Sequence, residues 1–221
     1  MKISLSPRLK MCCDFVAPGS RIADVGCDHG YLSIYLILEG IARSAIAADI
    51  KQMPLLSAKR NAQKYGVEDK MEFYLSDGVQ SLPRDFDTLV CAGVGGDTMV
   101  SILDAAPWLK DARYRVVLQC QSKTHLLRRY LSENGWRIYR ERLARDGKFL
   151  YTAMDIGYAP GQVLTPGQWY ISPALLESGC EELEEYRQNM IRLLSLATEG
   201  EGKHPEPEQQ AALAQLRQLS I

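Results

Sequence analysis

The chain has 221 residues, of which 46% are hydrophobic and 24% are charged. This length and composition suit one α/β domain with a small addition, and they provide enough apolar side chains for a packed core. The net charge is −1, which excludes a globally basic nucleic-acid binder and requires any such partner to meet a local basic surface. Because no apolar run approaches about 18 residues, no membrane span is expected.

The cysteines and histidines form no metal-binding pattern. The six cysteines include no C-x-x-C pair, and the three histidines do not cluster. Several cysteines lie in apolar runs typical of buried strands, which favours reduced thiols and a cytoplasmic location. The N-terminus also has no apolar stretch of signal-peptide length. We therefore predict a cytoplasmic protein without a metal site.

A short helical pattern over residues 6–15 precedes the stretch that organises the chain. The apolar run Ile22 to Val25 ends in a glycine turn, and a helical run begins at Tyr31. This order of strand, tight turn and helix directs the first amides of the helix towards a ligand on the turn. The alternative interpretation is a βα turn that binds nothing.

The residues of this turn indicate the class of ligand. They read Asp24-Val25-Gly26, followed by Asp28 and Gly30. Dinucleotide-binding turns of the form G-x-G-x-x-G have glycine where Asp28 stands, because a pyrophosphate lies against the turn. A carboxylate there would repel a pyrophosphate and would suit an ammonium group. S-adenosylmethionine has an ammonium, a sulfonium and no phosphate, so it is the cofactor that we predict.

Acidic residues also follow the next two predicted strands. The run Ala45 to Ala48 ends in Asp49, about 20 residues beyond the turn, where a carboxylate can bind ribose hydroxyls. The strand-like run Met71 to Leu75 is followed by Ser76-Asp77-Gly78. Ligands of open α/β sheets bind at the carboxyl ends of the strands. The sequence therefore predicts a nucleoside site that includes Asp49, Asp77 and Gly78.

The next elements complete an α/β sheet. Residues 87–92 predict a strand that leads into the glycine loop Gly93 to Gly96, and residues 115–119 predict a fifth strand. A helix over residues 125–134 is followed by two strands, 136–143 and 149–156, joined through an Asp-Gly turn. We expect a doubly wound, Rossmann-like sheet that ends in an antiparallel strand pair, the arrangement of S-adenosylmethionine methyltransferases.

The last part of the chain has a different character. A Gly- and Pro-containing loop covers residues 157–172, and helical patterns cover residues 173–197 and 208–219. We predict a methyltransferase domain over residues 1–157 and a C-terminal, coiled-coil-like helical hairpin over residues 158–221. A monomer is expected, with a weak dimer through the hairpin as the alternative.

Several of these motifs, in this order, resemble the bacterial tRNA (adenine-22-N1)-methyltransferases. The resemblance covers nearly the whole chain and is strongest over residues 6–150. One departure is at the end of the fifth strand, where the family commonly has Leu-Gln-Pro-Asn and this chain has Leu-Gln-Cys-Gln at 118–121. The segments that carry the resemblance are Arg8-Leu9, the turn from Asp24 to Leu32, Ala92 to Gly96, Gly147-Lys148-Phe149 and the C-terminal helices.

This resemblance implies a tRNA substrate that is methylated at N1 of an adenine. It implies that Asp24, Gly26, Asp28 and Gly30 hold the methionine part of the cofactor, Asp49 the ribose, and Asp77 with Gly78 the adenine. His29 and Tyr31 would line the mouth of the site, and the loop at Gly93 would leave room for the target base. The catalytic residue is not determined, and the candidates are Asp28, Tyr31 and Gln121.

A basic strip lies between residues 123 and 148. It contains eight basic and three acidic residues, an excess of five positive charges in a chain whose total is −1. We predict that it binds RNA phosphates. The alternative is a solvated charged face. The residues chosen as RNA-binding are Lys123, Arg128, Arg129, Arg145 and Lys148.

Three other functions compete with this hypothesis. The chain could methylate a small molecule or a protein, which would need no RNA. It could be an RNA-binding homologue that has lost turnover, which the departure at Gln121 allows. A nicotinamide-dependent enzyme is disfavoured by Asp28.

Overall fold

A computed structural model describes residues 3–199 and 204–221. The described residues form seven strands: β1 (Ser20–Val25), β2 (Ala42–Asp49), β3 (Met71–Leu75), β4 (Thr88–Val94), β5 (Arg115–Cys120), β6 (Trp136–Asp146) and β7 (Phe149–Tyr158). The main helices are α1 (Pro7–Cys13), α2 (Tyr31–Leu38), α3 (Gln52–Tyr65), α4 (Gly96–Asp104), α5 (Thr124–Glu133), α6 (Pro173–Leu176), α7 (Leu183–Thr198) and α8 (Pro207–Gln218).

All seven strands belong to one sheet, in the order β3-β2-β1-β4-β5-β7-β6. Strands β1 to β5 are parallel, whereas β7 is antiparallel to both β5 and β6. The strand order reverses between β1 and β4, so the connections that follow these two strands lead to helices on opposite faces of the sheet and leave a crevice for a ligand. The predicted fold class, a Rossmann-like methyltransferase sheet with a terminal antiparallel pair, is confirmed.

The sheet has a hydrophobic core on each face. Buried side chains of α4 and α5 pack on one face around Leu89 and Leu118, and those of α1, α2 and α3 pack on the other around Val90 and Val117. Neighbouring residues therefore face opposite cores, which explains why the central strands β4 and β5 are mainly apolar, since both of their faces are covered. Within residues 3–199 and 204–221, no helix has the length and apolar character needed to span a bilayer.

The C-terminal helices form a third core against β6. Its buried side chains include Leu143 of β6, Leu175 of α6 and Leu213 of α8. The helix predicted over residues 173–197 is in fact interrupted, because α6 ends at Leu176 and α7 begins at Leu183. Gly179 lies in this interruption with φ +64°, a left-handed conformation that stops a helix.

A buried ion pair joins α5, β6 and the start of the C-terminal region. The Arg128 guanidinium and the Glu141 carboxylate are both fully buried, with Nη2 2.7 Å from Oε1. Arg128 Nη1 also donates to the carbonyls of Trp169 and Tyr170, at 2.9 and 2.7 Å, and Ser172 Oγ donates to Glu141 Oε2 at 2.6 Å. The prediction that Arg128 contacts RNA is therefore wrong, because this side chain has no surface to offer a phosphate.

Candidate active site

The turn between β1 and α2 is held in left-handed conformations that its residues permit. Gly26, Asp28 and Gly30 have φ values of +75°, +48° and +71°. The amides of Gly26 and Cys27 both donate to the carbonyl of Ala48, at 2.9 Å, so the turn is tied to the end of β2. Asp28 is one of two non-glycine residues with positive φ among the described residues. Such backbone outliers concentrate at ligand sites.

Asp24 stands buried at the base of this turn. Its Oδ2 accepts a hydrogen bond of 2.7 Å from Ser33 Oγ of α2. Burial raises the pKa of Asp24, the Ser33 hydrogen bonds oppose this rise, and the nearby charge of Asp49 adds to it, which together place the pKa at about 6. A cationic ligand beside this carboxylate would favour its ionised form and offset the cost of placing a negative charge in a buried position.

Asp49 is oriented by backbone amides at the tip of β2. Its Oδ2 accepts from the amide of Asp28 at 3.2 Å, and its Oδ1 accepts from the amide of Lys51 at 2.9 Å. Each carboxylate oxygen keeps a further lone pair for another donor. This arrangement couples the carboxylate at the end of β2 to the turn after β1.

The turns after β1, β2 and β3 surround a cavity of about 470 Å³. Its size falls within the range of small-ligand sites. Four of the predicted cofactor residues line it in addition to Asp28, namely Gly26, Asp49, Asp77 and Gly78. The helix α4 closes the cavity with Thr98, Ser101 and Ile102. The donor set is rich in carboxylates, so it fits a ligand with hydroxyl and ammonium groups and disfavours a pyrophosphate.

A second cavity, of about 290 Å³, adjoins the first and shares Gly26, Asp28 and Val94 with it. Asp24, His29, Tyr31 and Gly93 also line this second cavity. His29 and Tyr31 stand at its mouth, with ring centroids 5.9 Å apart. His29 is fixed to α3, because its Nδ1 lies 2.8 Å from Ser57 Oγ and its carbonyl accepts from Asn61 Nδ2.

Arg8, which lines the second cavity, begins a row of polar side chains that continues with Gln119 and Gln121 behind the cavity wall. Arg8 Nη1 of α1 donates to Gln119 Oε1 at 2.9 Å, and Gln121 Nε2 lies 3.5 Å from the same oxygen. A Cβ on Gly93 would lie 3.3 Å from Arg8 Nη1. The missing side chain at Gly93 therefore keeps the space between the β4 loop and this row open.

The structure thus gathers most of the predicted site residues around two joined cavities. Gly30 lines neither cavity, and its role is structural, because a Cβ there would lie 2.9 Å from the Cβ of Ala58. Sequence reasoning gave Arg8 no place in the site, since no local pattern connects it to Gln119, 111 residues away. The contribution of α4 was also missed, although the spacing of Thr98 and Ile102 places them on one helix face.

The remaining residues of the predicted basic strip are at least partly exposed, and most carry intramolecular partners. Lys123 pairs with Asp97, Arg129 with Glu133 and Glu208, and Arg145 with Glu185. Lys148 has no carboxylate within 4 Å in the described part of the chain. Exposed pairs of this kind contribute little to stability and exchange readily for phosphate contacts. RNA binding by these four residues stays a prediction.

Comparison with known proteins identifies the family. Residues 5–154 match the model of a family described as a methyltransferase domain. The chain belongs to this methyltransferase family. The matched residues extend from α1 into β7 and include all those that line the two cavities.

Two relatives are more specific. A curated tRNA (adenine(22)-N(1))-methyltransferase of Bacillus subtilis is 32% identical over 149 residues, which are 66% of this chain and 63% of that enzyme. The aligned part therefore spans less than two thirds of the relative's length. A Streptococcus pneumoniae protein assigned as a tRNA (m1A22) methyltransferase superimposes with a TM-score of 0.83 at 26% identity, covering 97% of each chain.

The same Streptococcus protein has also been crystallised in complex with S-adenosyl-L-methionine, and that structure superimposes with a TM-score of 0.82 at 25% identity, again over 97% of each chain. The resemblance recognised from the sequence motifs is confirmed by these relatives. Within residues 3–199 and 204–221, no cluster of three or more His, Cys, Asp or Glu side chains is arranged to hold a metal ion.

Proposed function

We propose that this chain is an S-adenosylmethionine-dependent tRNA methyltransferase that acts on N1 of an adenine, at position 22 by its resemblance to the relatives above. The observation that carries the proposal is the ring of carboxylates at the carboxyl ends of β1, β2 and β3. Asp28, Asp49 and Asp77 line one cavity there, and Asp24 lines the adjoining one. Such a site binds hydroxyls and a cationic group and repels phosphates.

The residues that would hold S-adenosylmethionine are divided between the two cavities. Asp77 and Gly78 would bind its adenine, and Asp49 its ribose hydroxyls. Gly26, Asp28 and Asp24 would surround its methionine part. Bound in this way, the cofactor supplies an electrophilic methyl group.

The chain's own residues would mainly position the target adenine. The N1 atom of adenine has an in-plane lone pair, so no base must remove a proton before attack, and orientation supplies most of the catalysis. The space beside Gly93 admits a flat ring, and Tyr31, 40% exposed at the mouth, offers an aromatic face. The amide of Gln121 can both donate to and accept from a base edge.

The carboxylates have a second role in this proposal. Methylation at N1 leaves the base with a positive charge, and a pre-oriented negative group nearby stabilises that charge as it develops. Asp28 is suited to this role because it lines both cavities. Asp28 is therefore the catalytic candidate that the geometry favours, ahead of Tyr31 and Gln121.

The partner is tRNA, and the cell compartment is the cytoplasm, where tRNA and reduced thiols are found. All six cysteines are free in the structure. A monomer is the proposed state, with association through the C-terminal helices as the alternative. We also propose a methyltransferase domain over residues 1–157 and a C-terminal helical region over residues 158–221, because the sequence pattern changes between them.

The test is methyl transfer from labelled S-adenosylmethionine to unmodified bacterial tRNA, followed by mass spectrometry of the nucleosides. Wild type should produce N1-methyladenosine, and Asp28→Asn should lose at least tenfold in kcat/KM. Asp69→Asn is the matched control, because Asp69 is an exposed carboxylate just before β3, at the amino ends of the strands and away from the cavities. Calorimetry of S-adenosylmethionine binding is measured in parallel. Cofactor binding without transfer to tRNA would reject the proposed substrate.

A further inference from the structure

A cleft of about 440 Å³ lies between the methyltransferase sheet and the C-terminal helices. Its walls come from the end of β5, the start of α5, the start of β7 and the helix α7. The proposed function uses Gln121 at one end of this cleft and gives the rest of it no role. The motif Gly147-Lys148-Phe149, which the sequence singled out, ends at its rim.

A third of the residues that line the cleft carry an aromatic or imidazole ring. Phe149 is 55% exposed, and its ring centroid lies 6.2 Å from that of Tyr151. Deeper in the cleft, His125 stacks on Tyr170 with a centroid distance of 4.8 Å and an interplanar angle of 3°. Exposed aromatic faces in a concave site are the usual platforms for nucleobases, which stack on them whatever their identity.

The cleft adjoins the active site at Gln121. Gln121 lines the cleft, and its Nε2 atom lies 3.9 Å from where a Cβ of Gly93 would stand. Gly93 itself lines the cavity proposed for the target adenine. A nucleotide chain that leaves this cavity past Gln121 therefore enters the cleft.

Two exposed lysines stand at the cleft: Lys123 in its lining, paired with Asp97 at the surface, and Lys148 beside Phe149. Lys123 lines it with φ +57°, the second left-handed non-glycine residue of the described chain. Lys148 Nζ lies 5.3 Å from the Phe149 ring centroid. An apolar segment of protein would gain nothing from these two cations, whereas a phosphodiester would.

A buried polar group in the cleft lining has no partner. Thr152 is 2% exposed and lines the cleft, and its hydroxyl makes no hydrogen bond within the described residues. Unpaired buried hydroxyls are rare in proteins, and an ordered water is one of the partners that can complete them.

We propose that this cleft binds a second nucleobase of the substrate RNA, from a nucleotide adjacent to the methylated adenine, stacked on Phe149. The inference rests on the proposed function, since it needs RNA as the substrate. The cleft would hold the neighbouring nucleotide while the target base occupies the cavity beside Gly93. Phe149 is thereby a substrate-binding residue that contributes to RNA affinity and not to cofactor affinity.

The experiment compares substitutions of Phe149 that separate stacking from mere apolar contact. Phe149→Leu should weaken tRNA binding by roughly tenfold, the effect of losing one base–aromatic stack. Phe149→Trp should keep the affinity within about twofold, and its added tryptophan fluorescence should be quenched by tRNA. Tyr139→Leu is the matched control, because Tyr139 is an aromatic residue, 41% exposed, at the opposite end of the same hairpin.

Affinity is measured by equilibrium binding of tRNA, which needs no turnover, and the KM values for tRNA and S-adenosylmethionine are measured separately. A raised KM for tRNA with an unchanged KM for the cofactor supports the proposal. If the wild type methylates tRNA but Phe149→Leu binds tRNA as tightly as Tyr139→Leu does, the cleft assignment is overturned and the proposed function is left intact. Absence of tRNA binding by the wild type overturns both. Self-association that depends on Phe149, measured by sedimentation, would instead assign the cleft to a second copy of the chain.

Discussion

Replacing Asp24 by Asn should stabilise the ligand-free protein above pH 6 while weakening its site. The pKa of Asp24 is raised from an ordinary value of 3.8 to about 6, chiefly by burial. The folded protein therefore binds this proton more tightly than the unfolded chain does, so protonation of Asp24 stabilises the fold. This favourable contribution is complete below about pH 4, and it is lost as the pH rises through about 6. Asn has nearly the same shape and never ionises.

The magnitude follows from the pKa difference. A shift of about two pKa units corresponds to about 3 kcal/mol between the two protonation states. The Asn amide keeps an oxygen that accepts from Ser33, but its buried NH2 group must find a partner, at a cost of about 1 kcal/mol. The expected gain in the free energy of unfolding at pH 8 is therefore about 2 kcal/mol, which is roughly 4–8 °C in the thermal midpoint. Near pH 4 the gain should be replaced by a loss of up to about 1 kcal/mol, because only the cost of the buried NH2 group remains.

Urea unfolding of both proteins across pH 4–8, without cofactor, measures this difference. Asp77→Asn is the control, because Asp77 is exposed and its replacement should change the unfolding free energy by at most about 0.5 kcal/mol at any pH. Calorimetry at pH 8 should show weaker binding of S-adenosylmethionine to Asp24→Asn. A stability difference that is the same at pH 4 and pH 8 would refute the assignment to a buried charge, and a destabilised variant at pH 8 would refute the sign.

Two further predictions concern the folded framework. Glu141→Ala leaves the guanidinium of Arg128 buried without a counter-charge and should cost about 3–5 kcal/mol in urea unfolding, whereas Arg129→Ala, on the adjacent surface, should cost at most about 1 kcal/mol; equal effects would contradict a buried pair. Gly30→Ala adds a Cβ 2.9 Å from Ala58 at φ +71°, and Gly19→Ala adds one at φ +80° with no atom within 4 Å. Gly30→Ala should therefore be the more destabilising by at least about 1 kcal/mol, and a smaller loss than for Gly19→Ala would show that the turn relaxes.

Much of the sheet could be predicted because its information is local. Each of the strands β1, β2 and β3 has an acidic residue at its end or within three residues beyond it, and the carboxyl ends of parallel strands lie at one edge of a sheet. Asp49 and Asp77 were therefore placed near Asp28 without any knowledge of distances. The Asp-Gly turn between β6 and β7 likewise predicts an antiparallel pair of strands.

The contacts that could not be predicted join distant parts of the chain. Arg8 reaches Gln119 only because α1 packs against β5, and no sequence spacing encodes that contact. A count of charged residues along the sequence does not show which side chains are buried, so it predicts Arg128 as a surface cation. The same count treats its partner Glu141 only as an opposing charge in the strip. Burial of the pair depends on the C-terminal region covering it, through the carbonyls of Trp169 and Tyr170.

The left-handed conformation of Asp28 has an evolutionary consequence. Glycine would adopt φ +48° without strain, and every aspartate codon becomes a glycine codon by a change of its middle nucleotide. The more relaxed turn is therefore always one mutation away, yet it would remove the carboxylate that both cavities share. In a mutational scan selected for folding alone, glycine should be enriched at position 28, whereas a scan selected for methylation should eliminate it.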